Sequence, residues 1–386
     1  MQPTGILETA KATNPLKELL KFGQSVWLDY IRRDLIETGE LKRLIEDDGL
    51  RGMTSNPAIF EKAIADSKYY ADSLKALQSR SDLDANGRYE ILAIQDIQAA
   101  ADALGTVYQS AKRRDGYVSL EVSPYLARDA QATLKDARRL WKAVGRENLM
   151  VKVPGTAEGI PAFQQLISEG ININVTLLFA QEVYADVAEA YIAGLEKFAA
   201  QGGDVSKVAS VASFFISRID SAVDAILDAR LKTAKDDREK ADLRSIMGKV
   251  AIANGKQTYR RYLRIFGSDR WKKLAAKGAQ TQRVLWASTS TKNPNYRDVM
   301  YVEELIGADT VNTIPPATFD AFRDHGRPRP SLTENVEAAN QTMAKAASLG
   351  ISMKEVTDKL TADGVRLFAE AFDKLLKAVE TSTKSK

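Results

Sequence analysis

The sequence predicts an α/β protein: a single (β/α)8 barrel with extra helices and a helical C-terminus, read as one domain over residues 1–386. Three observations predict it. Eight short β-rich segments recur along the chain, long helical patterns separate them, and no Pro/Gly/Ser-rich linker, internal repeat or low-complexity run divides it. Strands alternating with helices build right-handed βαβ units and a parallel sheet. Eight such units close into a barrel, a fold of typically about 250 residues or more. A chain that is 44% hydrophobic and 27% charged can fill one large core and still present a hydrated surface.

The strands are expected at 25–31, 49–56, 117–123, 149–154, 171–179, 208–215, 283–289 and 309–314. In the first, parity puts Trp27 and Asp29 on one face and Val26 and Leu28 on the other. The connection 57–116 has room for two or more helices, including a long one near 88–114. In the third strand Val118, Leu120 and Val122 alternate with Ser119, Glu121 and Ser123. The fifth repeats the pattern, with Ile171, Ile173, Val175 and Leu177 against Asn172, Asn174 and Thr176. Helices are expected at 181–200 and 297–306. The connection 217–277 holds at least two more, with 232–244 as a surface junction. After the last strand, Ser331 with Glu334 and Ser352 with Glu355 have the spacing of capping boxes for two final helices, with Gly350 between them.

That alternation is the first clue to function. Flanking helices must cover the apolar face of each strand, so the polar face points into the barrel. Burying those groups costs on the order of 1–3 kcal/mol each unless they are paired. A centre lined with Asn, Glu and Ser suits a polar ligand better than simple packing.

Lys152 sharpens the clue, because it lies inside the apolar fourth strand, Leu149–Pro154. An edge position would explain a strand lysine, but a closed barrel has no edges. Only a neutral amine attacks a carbonyl, and removing a lysine from water favours its neutral form. Such a lysine can form a Schiff base. Dehydrating the carbinolamine needs an acid, and carbon–carbon cleavage needs a base. Asp29 and Glu121, in the first and third strands, are candidates for these roles.

Composition excludes the main alternatives. There is no cysteine and one histidine, His325. Disulfides, thiolate nucleophiles, iron–sulfur centres and sites needing two imidazoles are ruled out, so no metal is expected. His325, in the loop Asp324-His-Gly-Arg327, reads as structural or exposed. The net charge of +4, from 55 basic and 51 acidic residues, is spread along the chain. Short basic runs at 112–114 and 327–329 read as solvated, so no nucleic-acid partner is expected. The N-terminus has no signal-peptide core and no stretch approaches membrane-spanning length. A cytoplasmic protein, monomeric or homodimeric and without membrane contact, is the expectation.

These residues resemble the transaldolases. Thr54-Ser-Asn-Pro57 is similar to the family's T-[ST]-N-P segment, and the Lys152 strand to its Schiff-base strand. Residues 170–179, Gly-Ile-Asn-Ile-Asn-Val-Thr-Leu-Leu-Phe, are similar to its G-I-N-x-N-x-T-L-[LI]-F segment. Ordered matches run from about Asn14 to the final helix. The size and the Trp286-Ala-Ser-Thr segment look like the longer bacterial subfamily, whose members also occur fused to a glucose-6-phosphate isomerase. The resemblance implies a (β/α)8 barrel that transfers a dihydroxyacetone unit between sugar phosphates, in the non-oxidative pentose phosphate pathway, with no cofactor. The donors are fructose 6-phosphate or sedoheptulose 7-phosphate; the acceptors are erythrose 4-phosphate or glyceraldehyde 3-phosphate.

By resemblance, Lys152 forms the Schiff base, Glu121 works through a water, and Asp29 takes the C4 hydroxyl proton. Asn56, Asn174, Thr176 and Ser213 hold the three-carbon unit, with Phe215 beside it. Arg218 and Ser288 hold phosphate. Many members carry an arginine two residues after that serine; here Ser290 stands there, and Lys292 is the nearest cation. The alternative is a related lyase releasing free dihydroxyacetone from fructose 6-phosphate. Those relatives are shorter, with Gln in place of Glu121 and Tyr in place of Phe215.

Overall fold

The computed structural model describes residues 14–65 and 68–382. The stretch 1–13, where the absence of a signal peptide was read, lies outside them. Eight parallel strands close in chain order into a barrel. They are β1 Gln24–Asp29, β2 Gly52–Thr54, β3 Tyr117–Glu121, β4 Leu149–Pro154, β5 Ile173–Leu178, β6 Ser210–Phe215, β7 Arg283–Ala287 and β8 Thr310–Ile314. β8 returns beside β1, pairing Thr310 with Gln24 and Thr313 with Trp27, which closes the sheet. Each strand overlaps its predicted segment. β2 is shorter than expected because Gly49 turns with φ +72° before it and Pro57 opens a helix after it.

The helices cover the outside of the barrel. Helix Gln181–Ala200 has its predicted bounds. The long helix expected near 88–114 begins earlier, at Ala85, because the Asp84 side chain accepts the Gly87 N–H, and it ends at Ala103. Four helices fill 217–277, and the expected junction 232–244 is a junction only as far as Asp236. That aspartate caps helix Asp237–Ile246 through the Arg238 N–H. Helix 297–306 contracts to Met300–Glu304.

One of the two capping boxes is corrected. Ser352 Oγ accepts the Glu355 N–H at 3.2 Å and opens helix Met353–Ser382. Ser331 caps no helix: its Oγ accepts the Ile306 N–H at 3.1 Å, tying the C-terminal segment to the barrel. Helix Val336–Ser348 starts instead from Asn335 in a left-handed conformation.

Two layers inside the barrel position the site. At the N-terminal end, Arg283 donates to Ser25 Oγ at 2.7 Å and to Asp115 Oδ1 at 2.8 Å, and Ser25 donates to Asp115 Oδ2 at 2.7 Å. Trp27 lies above them, and a Cβ at Gly52 would come 2.5 Å from its ring, so only glycine fits. Higher up, Ser213 donates to Asn174 Oδ1 at 2.7 Å and Asn174 donates to Ser119 Oγ at 3.1 Å. These interior polar groups share the face predicted from alternation.

The alternation fails at one point. β5 carries an irregularity between Val175 and Leu178, with Leu177 at φ +62°. Leu178 therefore pairs with Phe214, while Leu177 packs beneath the C-terminal helix at Gly364. Bulges of this kind re-aim side chains at barrel rims. Among the described residues, no helix is long and apolar enough to cross a membrane.

Candidate active site

The C-terminal mouth of the barrel holds a cavity of about 630 Å³. Active sites of this fold sit at that end, built from the ends of several strands. Asp29, Asn56, Lys152, Thr176, Ser213, Phe215, Arg218, Ser288 and Lys292 all line it. Glu121 and Asn174 do not. Glu121 stands beside Lys152 and faces a smaller cavity of about 110 Å³, which Asn56 also lines. Asn174, fully buried, bridges Ser119 and Ser213 instead.

Register explains the grouping. β3 and β4 pair Glu121 with Lys152, and β4 and β5 pair Lys152 with Asn174. Adjacent parallel positions point to the same face, so one layer carries acid, amine and amide side by side. Lys152 Nζ donates to the Ser55 carbonyl at 3.2 Å and lies 3.7 Å from Glu121 Oε2; its side chain is 6% exposed. Asp29 accepts from Thr54 Oγ1 at 2.6 Å, and that hydroxyl also meets Thr313 Oγ1 at 2.7 Å.

Burial dominates the electrostatics of both carboxyls. It raises Glu121 to about 7, against the opposing pull of Lys152 and with a further push from Asp29. Burial also raises Asp29, opposed by Lys152 and by the Thr54 hydrogen bond. Glu121 can therefore hold and exchange a proton near neutral pH, with Asp29 raised in the same direction beside the same amine. Glu121 Oε2 and Thr176 Oγ1 are buried with no hydrogen-bond partner among the described residues, as polar atoms at a ligand-taking surface can be.

The mouth is basic. Arg218, its guanidinium 5.6 Å from the centre of the Phe215 ring, and Lys292 are both pushed down, chiefly by burial. Lys292 donates to Ser290 Oγ at 2.7 Å, so it is anchored by the residue standing where an arginine was expected. Ser288 adopts φ +56° and hydrogen-bonds Ser217 at 2.8 Å. A serine in that region is strained, and such strain clusters at functional sites.

Two contributors escape sequence reading. Leu367, Phe368 and Ala371 of the C-terminal helix line the same cavity, and Phe368 lies 5.8 Å from Lys152 Nζ. Lys62 also lines it, from helix Pro57–Ala65. Neither carries a local sequence signal, since both read as ordinary helix positions. His325 stays outside the site, partly exposed between Asp298 at 3.0 Å and Asp324 at 3.1 Å, as expected.

Comparison with known proteins agrees with this geometry. A family model described as Transaldolase/Fructose-6-phosphate aldolase matches residues 26–379. A protein named Transaldolase from Trichodesmium erythraeum is 50% identical over 376 residues, covering 96% of this chain and 98% of that protein. Transaldolase 2 from a Nostoc species is 49% identical, over 97% of this chain and 98% of its own length. The Transaldolase of Thiobacillus denitrificans is 46% identical, over 94% and 99%. With a buried lysine flanked by two carboxyls at the mouth of an eight-stranded barrel, the chain belongs to the transaldolase/fructose-6-phosphate aldolase family.

Proposed function

We propose that this chain is a transaldolase of the pentose phosphate pathway, acting in the cytoplasm. It moves a dihydroxyacetone unit from sedoheptulose 7-phosphate or fructose 6-phosphate to glyceraldehyde 3-phosphate or erythrose 4-phosphate. The observation that carries this reading is Lys152: a buried amine on the wall of a 630 Å³ cavity, 3.7 Å from Glu121 and sharing that cavity with Asp29.

The Lys152 amine attacks the donor C2 carbonyl to give a carbinolamine. Glu121, held near neutrality, passes a proton through a water to the departing hydroxyl, leaving an imine. Asp29 takes the C4 hydroxyl proton while the C3–C4 bond breaks, and its electron pair moves onto the imine as an enamine. The aldehyde fragment leaves. The enamine attacks the acceptor aldehyde, the new alkoxide recovers the proton from Asp29, and hydrolysis frees Lys152. Asn56, Thr176 and Ser213 bind hydroxyls of the three-carbon unit beside Phe215, with Asn174 holding Ser213. Arg218, Ser288 and Lys292 take the phosphate.

A coupled assay with fructose 6-phosphate tests the reading. Sedoheptulose 7-phosphate should form only when erythrose 4-phosphate is present. Stoichiometric free dihydroxyacetone without an acceptor would make the protein a lyase instead.

A further inference from the structure

Most basic side chains that this chain takes even partly out of water are paired with acids. Arg33 meets Asp96 at 2.8 Å, Arg283 meets Asp115 at 2.8 Å, and Arg323 meets Asp48 at 2.7 Å. Three cations at the mouth of the main cavity lack such partners; Arg218 is half-buried, whereas Lys62 and Lys292 keep exposed surface at the cavity rim. Lys62, Arg218 and Lys292 line one cavity, and none forms an ion pair with a described acidic side chain. Asp363 is near enough to stabilise the Arg218 charge, but it is itself bonded to Arg366 at 3.2 Å.

Three positive charges around one space repel one another, with Asp29 as the carboxyl that shares the cavity with them. Lys292 is disfavoured as a cation by burial first and then by Arg218; Asp29 opposes this, and Lys62 adds a smaller push. A fold keeps such an arrangement where an anion relieves it. Lys62 is placed differently from the other two. Arg218 and Lys292 follow β6 and β7, whereas Lys62 belongs to the helix after β2, four strands away from β6 in the closed order. Its position in the last turn of that helix suits the helix dipole, but that leaves its direction into the cavity unexplained. The C-terminal helix packs against helix Pro57–Ala65 and holds this wall in place.

We propose that Lys62 is a third cationic contact for the substrate phosphate, closing on it from the wall opposite Arg218 and Lys292. The inference rests on the transaldolase reading, because that reading supplies the dianionic ligand. Lys62 and Lys292, as two flexible point charges, then replace the single bidentate arginine absent at Ser290. A flexible pair can follow phosphates on sugars of different length, which a transferase with unequal donors and acceptors must do.

The test compares Lys62→Met and Lys62→Arg with the wild-type enzyme. Lys62→Met should raise KM for fructose 6-phosphate and Ki for inorganic phosphate together, by about tenfold each, the loss of ~1.4 kcal/mol of binding. Lys62→Arg should recover most of both. Borohydride trapping of unphosphorylated dihydroxyacetone on Lys152 should change less than twofold, because that ligand has no phosphate. KM and Ki within twofold of wild type would overturn the proposal, as would a parallel fall in dihydroxyacetone trapping, which would mean a damaged site. A wild-type enzyme with no transferase activity would instead sink the underlying reading.

Discussion

At the N-terminal end of the barrel Arg283 donates to Asp115 at 2.8 Å and to Ser25 at 2.7 Å; at the C-terminal end Lys152 stands 3.7 Å from Glu121. Both are buried pairs of a basic and an acidic side chain, with Arg283, Lys152 and Glu121 on strands and Asp115 just before β3. The lower pair is held from several sides: Ser25 and Trp27 also donate to Asp115, and Arg283 also reaches the Arg114 carbonyl. The upper pair is loose, and Glu121 Oε2 has no hydrogen-bond partner among the described residues. Arginine fits a carboxylate fork bidentately, whereas lysine is a single point charge on a flexible stem. One end therefore uses its charges to fix the barrel, and the other keeps them available for a substrate.

Three substitutions break or sharpen this contrast. The largest effect is expected at the upper end. Asp29→Ala removes the base for carbon–carbon cleavage and should lower kcat by about 10²–10⁴, the usual contribution of a positioned base. The imine should still form, so an adduct trapped at the wild-type level with little turnover is the expected result. Unchanged turnover would remove Asp29 from its role.

Asp115→Ala should act in the opposite way. It strands the Arg283 charge and should cost about 3–5 kcal/mol of stability, the penalty for breaking a buried pair. Thermal denaturation should show the loss while kcat of the folded enzyme stays within a few-fold of wild type. A stable variant with lost activity would reverse the two assignments.

The smallest effect on stability is expected for Glu121→Gln, and its sign is the informative part. The folded Glu121 carboxyl titrates at about 7, raised from 4.5 by burial. A raised acid favours folding below its unfolded pKa, and that contribution is lost as pH climbs through the folded value. Removing the ionisation should therefore stabilise the protein by roughly 2–3 kcal/mol at pH 8, and the gain should shrink to nothing near pH 4.5. A variant less stable than wild type at pH 8 would place Glu121 among structural ion pairs like Asp115.

The sequence revealed these two ends unequally. Lys152 was legible because a lysine inside an apolar strand contradicts its surroundings. Asp29 and Glu121 followed from period-two alternation, as did the inward face carrying Asn174, whereas Ser213 came only from the family resemblance. The Arg283–Asp115 network was not legible, because it depends on which strands meet when the barrel closes, and the two residues are far apart in the chain. Phe368 and Lys62 were hidden for a related reason. Each sits on a helix whose local pattern is ordinary, and only the packing of helix Met353–Ser382 against helix Pro57–Ala65 fixes that wall of the mouth. Ser331 shows the converse error: its capping-box spacing was genuine, but its hydroxyl serves the Ile306 N–H instead.

The claim that the upper end is an imine-forming site is tested most directly by reducing the enzyme with borohydride in the presence of fructose 6-phosphate and locating the adduct by mass spectrometry. The account predicts one dihydroxyacetone-derived adduct per chain, on Lys152, and none in Lys152→Met. An adduct on another lysine, or none on the active enzyme, would contradict it.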